Sequence, residues 1–349
     1  MLELNSQTES RWPHRVGCLL ACIVFPLIWV GNLVTTTDAG MAVPDWPNTY
    51  GYNLFLYPYR EWFFGPWDLF VEHGHRLLAS LAGLVAIVLV VVSVRYEPRK
   101  WARLLAFSIL GLVVVQGLLG GIRVVFDARW IAKVHGCIGP LFFACVIGFC
   151  VVTSRWWGRS DELVLANNSR ILRWVPRIAV AMLAVSFLQL VLGAFVRHVD
   201  DLTSPKQFAM LIGLHVLMAI ALVIGTLIQY SLTRRSDLRR SGIKASINIL
   251  TVLILIQFSM GLGTWVVKWG FPSWFANQPW AANFIVMEKS FFQVNIVTAH
   301  AAIGSLVLAF WTIHALRSGR ALWGRWGRWG RGANGSNEPA ARAAVSSPA

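Results

Sequence analysis

The sequence predicts an all-α membrane protein in which eight transmembrane helices form two pseudo-symmetric four-helix bundles. Three observations lead to this fold class: a strongly apolar composition, eight segments long enough to cross a bilayer, and a motif that recurs along the chain. Of the 349 residues, 56% are hydrophobic and only 13% are charged. Little of such a chain is stable in bulk water, which excludes a soluble globular protein.

Each predicted span is an apolar segment long enough to cross a membrane as a helix. About 20 apolar residues cross about 30 Å of hydrocarbon, and a helix satisfies its own backbone hydrogen bonds there. The first segment follows Arg11 and Arg15, but it is longer than a usual signal core, so we interpret it as a retained helix. The eight segments are 17–36, 74–94, 104–122, 134–153, 178–196, 211–231, 246–267 and 292–314.

The charges predict the orientation of the spans. The formal net charge is +15, but Lys and Arg cluster between apolar segments, which indicates membrane topology and not nucleic-acid binding. With both termini cytoplasmic, 22 of the 31 basic residues fall on the inner side. This bias follows the positive-inside rule and predicts a multi-pass protein of the cell (inner or plasma) membrane.

The predicted organisation has five parts. Residues 1–16 form a cytoplasmic N-terminus, 17–155 and 178–316 form the two four-helix halves, and 156–177 form a cytoplasmic linker. Residues 317–349 form a basic cytoplasmic tail with three copies of Trp-Gly-Arg, beginning at Trp323, Trp326 and Trp329. We expect this tail to rest on the inner leaflet and then to be disordered.

The longest outer loop, Thr35 to Val71, has two interpretations. It holds Asp45-Trp46-Pro47 and many other aromatic residues, which suit an ordered cap at the membrane interface. A solvated loop with interfacial Trp and Tyr side chains explains the same composition. The sequence favours neither.

A Gln-xxx-Gly motif recurs near the outer end of the odd-numbered spans. It occurs at Gln116 and Gly120, at Gln189 and Gly193, and at Gln257 and Gly261; Gly31 to Thr35 closes the first span in a degenerate version. Small residues let helices, or a flat macrocycle, approach the backbone closely. Packing alone explains any single copy, but the recurrence indicates a duplicated four-helix unit.

Four histidines lie on the four even-numbered spans, in their outer halves. Two neutral imidazoles on facing helices suit axial ligation of haem iron, with the porphyrin between them. Pairing within each half gives two sites, although the sequence does not exclude pairing across the halves. These candidate ligands are His75, His135, His215 and His300.

The remaining histidines receive weaker interpretations. His73 and His198 lie at the outer boundary and His314 at the inner end of the last span, so we expect solvated or supporting roles. His14 is expected to precede the membrane.

Only the first half carries charged residues beside its first histidine. At the spacing i, i+3 and i+4, Glu72 shares a helix face with His75 and Arg76, so all three are placed to meet one ligand. An interfacial ion pair that anchors the helix is the simpler explanation. A desolvated Glu72 beside a haem would instead move protons or stabilise a cationic intermediate.

The five cysteines all lie in or beside apolar segments, so no external disulfide is expected. Cys18 and Cys22 have the i, i+4 spacing of one helix face. Two thiols alone are more often packing residues than metal ligands, and we interpret them as packing residues.

Together these features resemble the haem A synthase family, whose members oxidise the C8 methyl group of haem O to the formyl group of haem A. The resemblance covers residues 15 to 316. Many bacterial members carry a cysteine pair in the first outer loop; this sequence has none there, which argues against a thiol relay. The resemblance depends on Glu72-xx-His75-Arg76, Lys133-Val134-His135-Gly136, His215, His300, the Gln-xxx-Gly repeats, Thr37-Asp38-Ala39-Gly40-Met41 and Asp45-Trp46-Pro47.

The resemblance implies a role for each half. It implies that His75 and His135 ligate the substrate haem O, that Glu72 aids catalysis, and that Arg76 meets a propionate. It implies that His215 and His300 hold a permanent haem b. The implied partners are the lipid bilayer, an unidentified electron donor, haem O synthase and cytochrome oxidase assembly factors.

Two other functions use the same four histidines. A di-haem b electron-transfer cytochrome that oxidises quinol would keep both haems unconverted. A haem-handling carrier would bind haem only transiently.

Overall fold

The structure is a computed structural model that describes residues 10–159, 173–199, 203–234, 242–275 and 277–323. Eight helices in these ranges are long and apolar enough to cross a membrane, and no described residue lies in an extended strand. The predicted class of all-α membrane protein is confirmed. The spanning helices are α1 (Trp12–Thr36), α3 (Trp67–Tyr96), α4 (Lys100–Phe126), α5 (Arg129–Val152), α7 (Trp174–Arg197), α8 (Pro205–Arg234), α9 (Ile243–Trp269) and α11 (Phe291–Trp323).

Short elements occupy the connections. They are α2 (Tyr59–Phe64), α6 (Arg155–Arg159) and α10 (Pro279–Ala282), with single 3₁₀ turns at Ala39–Met41 and Ser273–Phe275. All of the three Trp-Gly-Arg copies except Trp323, the rest of the predicted tail beyond it, and much of the predicted linker lie outside the described residues.

The helices are longer than the apolar segments because polar residues at each end continue the helical hydrogen bonding. Helix α3 begins after Pro66 and ends before Pro98, where proline prevents a further turn. As a result the four candidate histidines lie six to ten residues after the first residue of their helices.

Helix packing places four helices around each half. In the first half α1 packs on α3, α3 on α4, α4 on α5, and α5 on α1; in the second, α7 packs on α8, α8 on α9, α9 on α11, and α11 on α7. Helices α5 and α11 also contact each other, and α1 contacts α11, which joins the halves. The division at residues 155 and 178 stays a prediction.

The outward surface of the bundle is apolar. Large side chains such as Leu84, Val91, Leu104 and Ile224 are exposed on the described helices. Helices α5 and α11 differ, because half of the residues in their most apolar 18-residue window are buried, against 11 to 28% in the other spans. The exposed faces suit lipid, and α5 and α11 form the centre of the bundle.

The loop between α1 and α3 packs on one end of the bundle, which we call the capped end. The ring of Trp46 lies against Gly121 on α4, where an added Cβ would lie 2.2 Å from the ring. The Asp45 carboxylate accepts hydrogen bonds from the Tyr50 and Gly51 amides, each at 2.8 Å. Of the two interpretations of this loop, the structure favours the ordered cap.

His73 belongs to this cap, which corrects the expected solvated role. Its side chain is buried, and its Nδ1 atom lies 3.0 Å from Oγ1 of the buried Thr49. Rings of Tyr57 and Trp62 pack on the imidazole, each with centroids 5.2 Å away.

The opposite end of the bundle, which we call the terminal end, contains a second buried histidine. His314 was expected to have a solvated or supporting role, and its fully buried side chain excludes the solvated one. Its Nε2 atom lies 2.8 Å from Nε2 of Gln229, and its Nδ1 atom 2.9 Å from Oγ of Ser246. Both ring nitrogens therefore have partners, and the network ties α8, α9 and α11 together. His14 does not precede the membrane helix but lies inside α1.

We expect Ser246→Ala to destabilise the second half. Ser246 Oγ donates to the Ile243 carbonyl, so it accepts from His314 Nδ1, and its loss leaves a buried donor unpaired. Such a loss costs about 1–3 kcal/mol. Thermal unfolding in detergent should show a lower midpoint, whereas Ser259→Ala, at an exposed position where the hydroxyl bonds only to its own helix, should not. Equal midpoints for both variants would contradict the assigned network.

We expect Gly121→Ala to loosen the cap, because a methyl group there overlaps the rigid ring of Trp46. Gly117→Ala, one turn earlier on α4, meets nothing within 4 Å and is the matched control. Limited chymotrypsin digestion at the exposed Tyr50 and Tyr52 should be several times faster in the first variant than in the second. The same cleavage rate in both would show that Trp46 does not hold the loop.

Candidate functional site

Each of the four candidate histidines places an edge of its ring against a glycine on the preceding spanning helix. The distance from the ideal Cβ position of the glycine to Cε1 of the imidazole measures this approach. It is 2.8 Å for Gly31 and His75, 3.4 Å for Gly120 and His135, 3.2 Å for Gly193 and His215, and 3.2 Å for Gly261 and His300. A side chain at Gly31, Gly193 or Gly261 would press on the ring, and at Gly120 an added Cβ would be in van der Waals contact with it, so the recurrent glycine acts as a cradle for imidazole.

The glutamines of the motif support three of these rings. The side-chain amide of Gln116 donates to the His135 carbonyl at 3.2 Å, that of Gln189 to the His215 carbonyl at 2.9 Å, and that of Gln257 to the His300 carbonyl at 3.0 Å. Each bond links an odd-numbered span to the next even-numbered one. In the degenerate first copy, Leu27 stands one turn before Gly31 and has no amide to donate.

His215 and His300 face each other within the second half. Their ring centroids are 6.4 Å apart and their planes cross at 76°. A metal bound to one nitrogen of each ring, with metal–nitrogen bonds of about 2 Å, puts the two centroids roughly 6 Å apart. The spacing of this pair therefore fits axial ligation of one iron atom.

His75 and His135 lie close enough to each other, and to Arg123, to interact electrostatically. The Nδ1 atoms of all four histidines are buried, and none makes a hydrogen bond of normal geometry within the described residues. Each ring instead interacts weakly with the backbone carbonyl one turn before its glycine. Buried imidazoles with spare coordination capacity, seated in glycine cradles, fit a haem, whose porphyrin supplies the other four nitrogen ligands.

Other kinds of metal centre find less support. Within the ranges that the structure describes, no group of three or more His, Cys, Asp or Glu side chains is placed to hold a metal ion. Two imidazoles suffice for a haem but not for a closed zinc site, which requires four protein ligands.

Glu72 and Arg76 join the cap to the first half. Oε1 of Glu72 accepts from Arg76 at 2.7 Å, and Oε2 accepts from the Val43 amide at 2.9 Å. Both side chains are largely buried, with exposed fractions of 4% and 10%. The ion pair therefore lies under the loop, one turn from His75, and not at an open interface.

Arg76 also donates to the loop backbone. It donates to the carbonyls of Asp45, Asn48 and Val43 at 2.7 to 2.9 Å. Together with the bond to Glu72, these bonds use four of its five N–H donors, and the contact to a propionate that the resemblance implies stays a prediction.

Two arginines at the capped end, Arg123 and Arg197, were not predicted as site residues from the sequence. Arg123, three residues after Gly120, donates to the Gly40 carbonyl of the loop at 3.2 Å and acts electrostatically on both histidines of the first half. Arg197, four residues after Gly193, reaches across to the first half. It donates to the carbonyl of Asn32 at 2.7 Å and to Thr36 Oγ1 at 2.6 Å, and also contacts the Asn32 amide oxygen. Their spacing from the motif glycines was the signal available in the sequence.

His198 follows Arg197 at the contact between the two halves, and its surroundings determine whether it is charged. Partial burial, together with the nearby positive charges of Arg197 and Arg123, lowers the pKa of its imidazole to about 4. It is therefore neutral at pH 7 and adds no positive charge to those of Arg197, Arg123 and Lys133.

Comparisons with known proteins show that part of the chain is similar to a known family. Residues 66–216, from the start of α3 into α8, match the family model described as cytochrome oxidase assembly protein. The match contains His75, His135 and His215 together with Glu72 and Arg76.

Curated relatives are similar over about half of the chain. The heme A synthase of Shouchella clausii is 26% identical over 204 residues, which cover 56% of this chain and 62% of that protein. The heme A synthase of Parvibaculum lavamentivorans is 26% identical over 51% of this chain and 57% of its own length, and that of Lysinibacillus sphaericus is 29% identical over 49% and 53%. The chain thus spans about three fifths or less of the length of these relatives. Over these segments the chain is similar to heme A synthases and to the cytochrome oxidase assembly protein family.

Proposed function

We propose that the chain is a haem A synthase, an oxidoreductase that converts the C8 methyl group of haem O to the formyl group of haem A. The observation that carries this proposal is the facing pair His215 and His300, together with the same glycine-cradled imidazoles in the first half. The names of the relatives support the same activity.

In this proposal the two halves do different work. His75 and His135 ligate the substrate haem O, with Arg76 near a propionate, and His215 and His300 hold haem b. Haem b supplies electron transfer during the oxidation when it is bound. The difference rests on the charged residues, because Glu72 and Arg76 lie beside His75, whereas Leu214 and Val216 flank His215.

Glu72 is the candidate for proton movement. Its carboxylate is largely buried, its two oxygens are held by Arg76 and by the Val43 amide, and it lies one turn from His75. A positioned carboxylate in such a place accepts a proton from the reacting group, or stabilises positive charge that develops there. The cap above it restricts the access of water to that point.

The proposed orientation follows the charge bias. The terminal end faces the cytoplasm and the capped end faces outward, so both haem sites lie toward the outer half of the cell membrane. The proposed partners are haem O, an electron donor, haem O synthase and oxidase assembly factors.

We expect His215→Ala to lower the haem b content per protein at least about tenfold, because it removes an axial ligand. His75→Ala should leave haem b in place. Gly213→Ala, near His215 at a position where an added Cβ meets nothing within 4 Å, is the matched control. Haem extraction followed by chromatography and mass spectrometry measures the haem b content of all three variants. Equal loss of haem b in both histidine variants would contradict the division of labour.

We expect Glu72→Gln to suppress haem A formation by about 10²-fold or more while haem b stays bound. The amide keeps an oxygen acceptor for Val43 but cannot accept a proton. The assay is expression with a supply of haem O, followed by identification of haem A and its hydroxylated precursor.

The matched control for this prediction is Asp45→Asn, the same chemical change in the same cap. The Asp45 carboxylate bonds to Tyr50 and Gly51, so this variant should keep haem A production. Full haem A production in Glu72→Gln would contradict the proposed role of Glu72 in proton movement. Two unconverted b-type haems in the unmodified protein, despite a competent electron supply, would instead establish the di-haem cytochrome.

A further inference from the structure

A cluster of sulfur and imidazole groups lies at the terminal end of the first half, at the far end of the bundle from the cap. We define this thiol cluster as His14 and Cys18 on α1 and Cys150 on α5, with Thr153, the residue that ends α5. The sequence analysis interpreted Cys18 as a packing residue. The structure corrects this, because a histidine and a second cysteine both lie close enough to interact with it.

His14 is oriented as a base toward Cys18. Thr153 Oγ1 donates to the Phe149 carbonyl at 2.7 Å, so toward His14 Nδ1, at 3.4 Å, it acts as an acceptor. The proton of the neutral imidazole then resides on Nδ1, and Nε2 is the acceptor. That atom lies 3.6 Å from the Sγ atom of Cys18, so His14 is placed to take the thiol proton.

Cys150 provides a second thiol within reach. Its Sγ atom lies 3.4 Å from the ideal Cβ position of Gly17, the neighbour of Cys18, and the two thiols are close enough to interact. The glycine lets α1 and α5 approach closely at this level. Cys137 is different, because it precedes Cys150 by 13 residues on α5, which is about 20 Å along the axis.

We propose that Cys18 is a peroxide-reactive thiol and that Cys150 is its resolving partner. The Cys18 thiolate, formed when His14 takes its proton, attacks the O–O bond of a hydroperoxide, which gives a sulfenic acid and releases water or an alcohol. The Cys150 thiol then attacks the sulfenic sulfur, an S–S bond forms, and a second water leaves. Two thiols lose two electrons and two protons in total, and the peroxide is reduced.

The site is independent of the proposed haem chemistry but acts on the same half. The disulfide would tie α1, which carries the Gly31 cradle, to α5, which carries His135. Hydrogen peroxide is small and uncharged, and Cys18 lies within two turns of the start of α1, so the reagent can reach it from the membrane surface.

The test uses the full chain in membranes and hydrogen peroxide as the probe. Samples taken over time are treated with dimedone, which traps sulfenic acid, and with a maleimide for free thiols, and are then analysed by peptide mass spectrometry. We expect Cys18 to be oxidised at least about tenfold faster than Cys145, and a peptide that joins Cys18 to Cys150 to appear. In Cys150→Ser, the dimedone adduct of Cys18 should accumulate instead.

Variants of His14 test whether the oxidation rate of Cys18 depends on this base or only on the exposure of the thiol. His14→Gln should slow oxidation of Cys18 at least about tenfold and move its pH dependence upward, whereas Thr153→Ser, which keeps the hydroxyl, should not. Cys145→Ser should leave the rate unchanged. Equal oxidation rates at Cys18 and Cys145, an unchanged rate in His14→Gln, or absence of the joined peptide would each overturn the proposal. These readouts do not depend on haem, so they are separate from any failure of the synthase activity.

Discussion

The close approach of an imidazole to a glycine on the neighbouring helix is the contact on which the rest of this structure depends. Helices in lipid gain little from the hydrophobic effect, so their association depends on close packing and on polar contacts between them. At each of four points a missing side chain lets the helices approach, and the ring of a histidine fills the space. The same contact therefore packs the bundle and fixes the position of the candidate ligand, so the site cannot be loosened without loosening the fold.

Beside each pair of glycine and histidine there is a place for a second contact, a hydrogen bond from a glutamine to the histidine carbonyl. This contact explains how the halves differ. Three of the histidine carbonyls accept a bond from a glutamine amide, and the fourth unit has Leu27 in place of that glutamine. That same unit carries the cap and the ion pair of Glu72 with Arg76. In this unit the hydrogen bond between two spans is absent, and hydrogen bonds to the loop take its place. A substrate must enter and leave its site whereas a permanent cofactor need not, so this arrangement suits the two roles proposed for the halves.

The spans and the candidate histidines were predictable from the sequence because hydrophobic length and the position of a residue along a helix are local properties. The hydrogen-bond partners of the side chains were not predictable, because they depend on which helices face each other. Thr49 meets His73 across 24 residues, and Gln229 meets His314 across 85, so two histidines expected at a solvated boundary are in fact buried and satisfied. The glutamines of the repeat were recognised, but their acceptor, the backbone carbonyl of the histidine itself, was not. The cap likewise required the structure, since an interfacial loop and an ordered lid have the same composition.

Arg197 shows why the junction between the halves matters to the proposed function. Its guanidinium lies on α7 in the second half, yet its bonds go to Asn32 and Thr36 on α1 in the first. Asn32 follows the glycine that cradles His75, and Thr36 accepts a bond from Thr298, two residues before His300. A chain of short contacts therefore runs from one candidate site to the other through neutral groups and one cation. In the proposed function electrons would pass between two fixed centres, and this polar contact between otherwise apolar helices would keep their separation constant and place a positive charge between them.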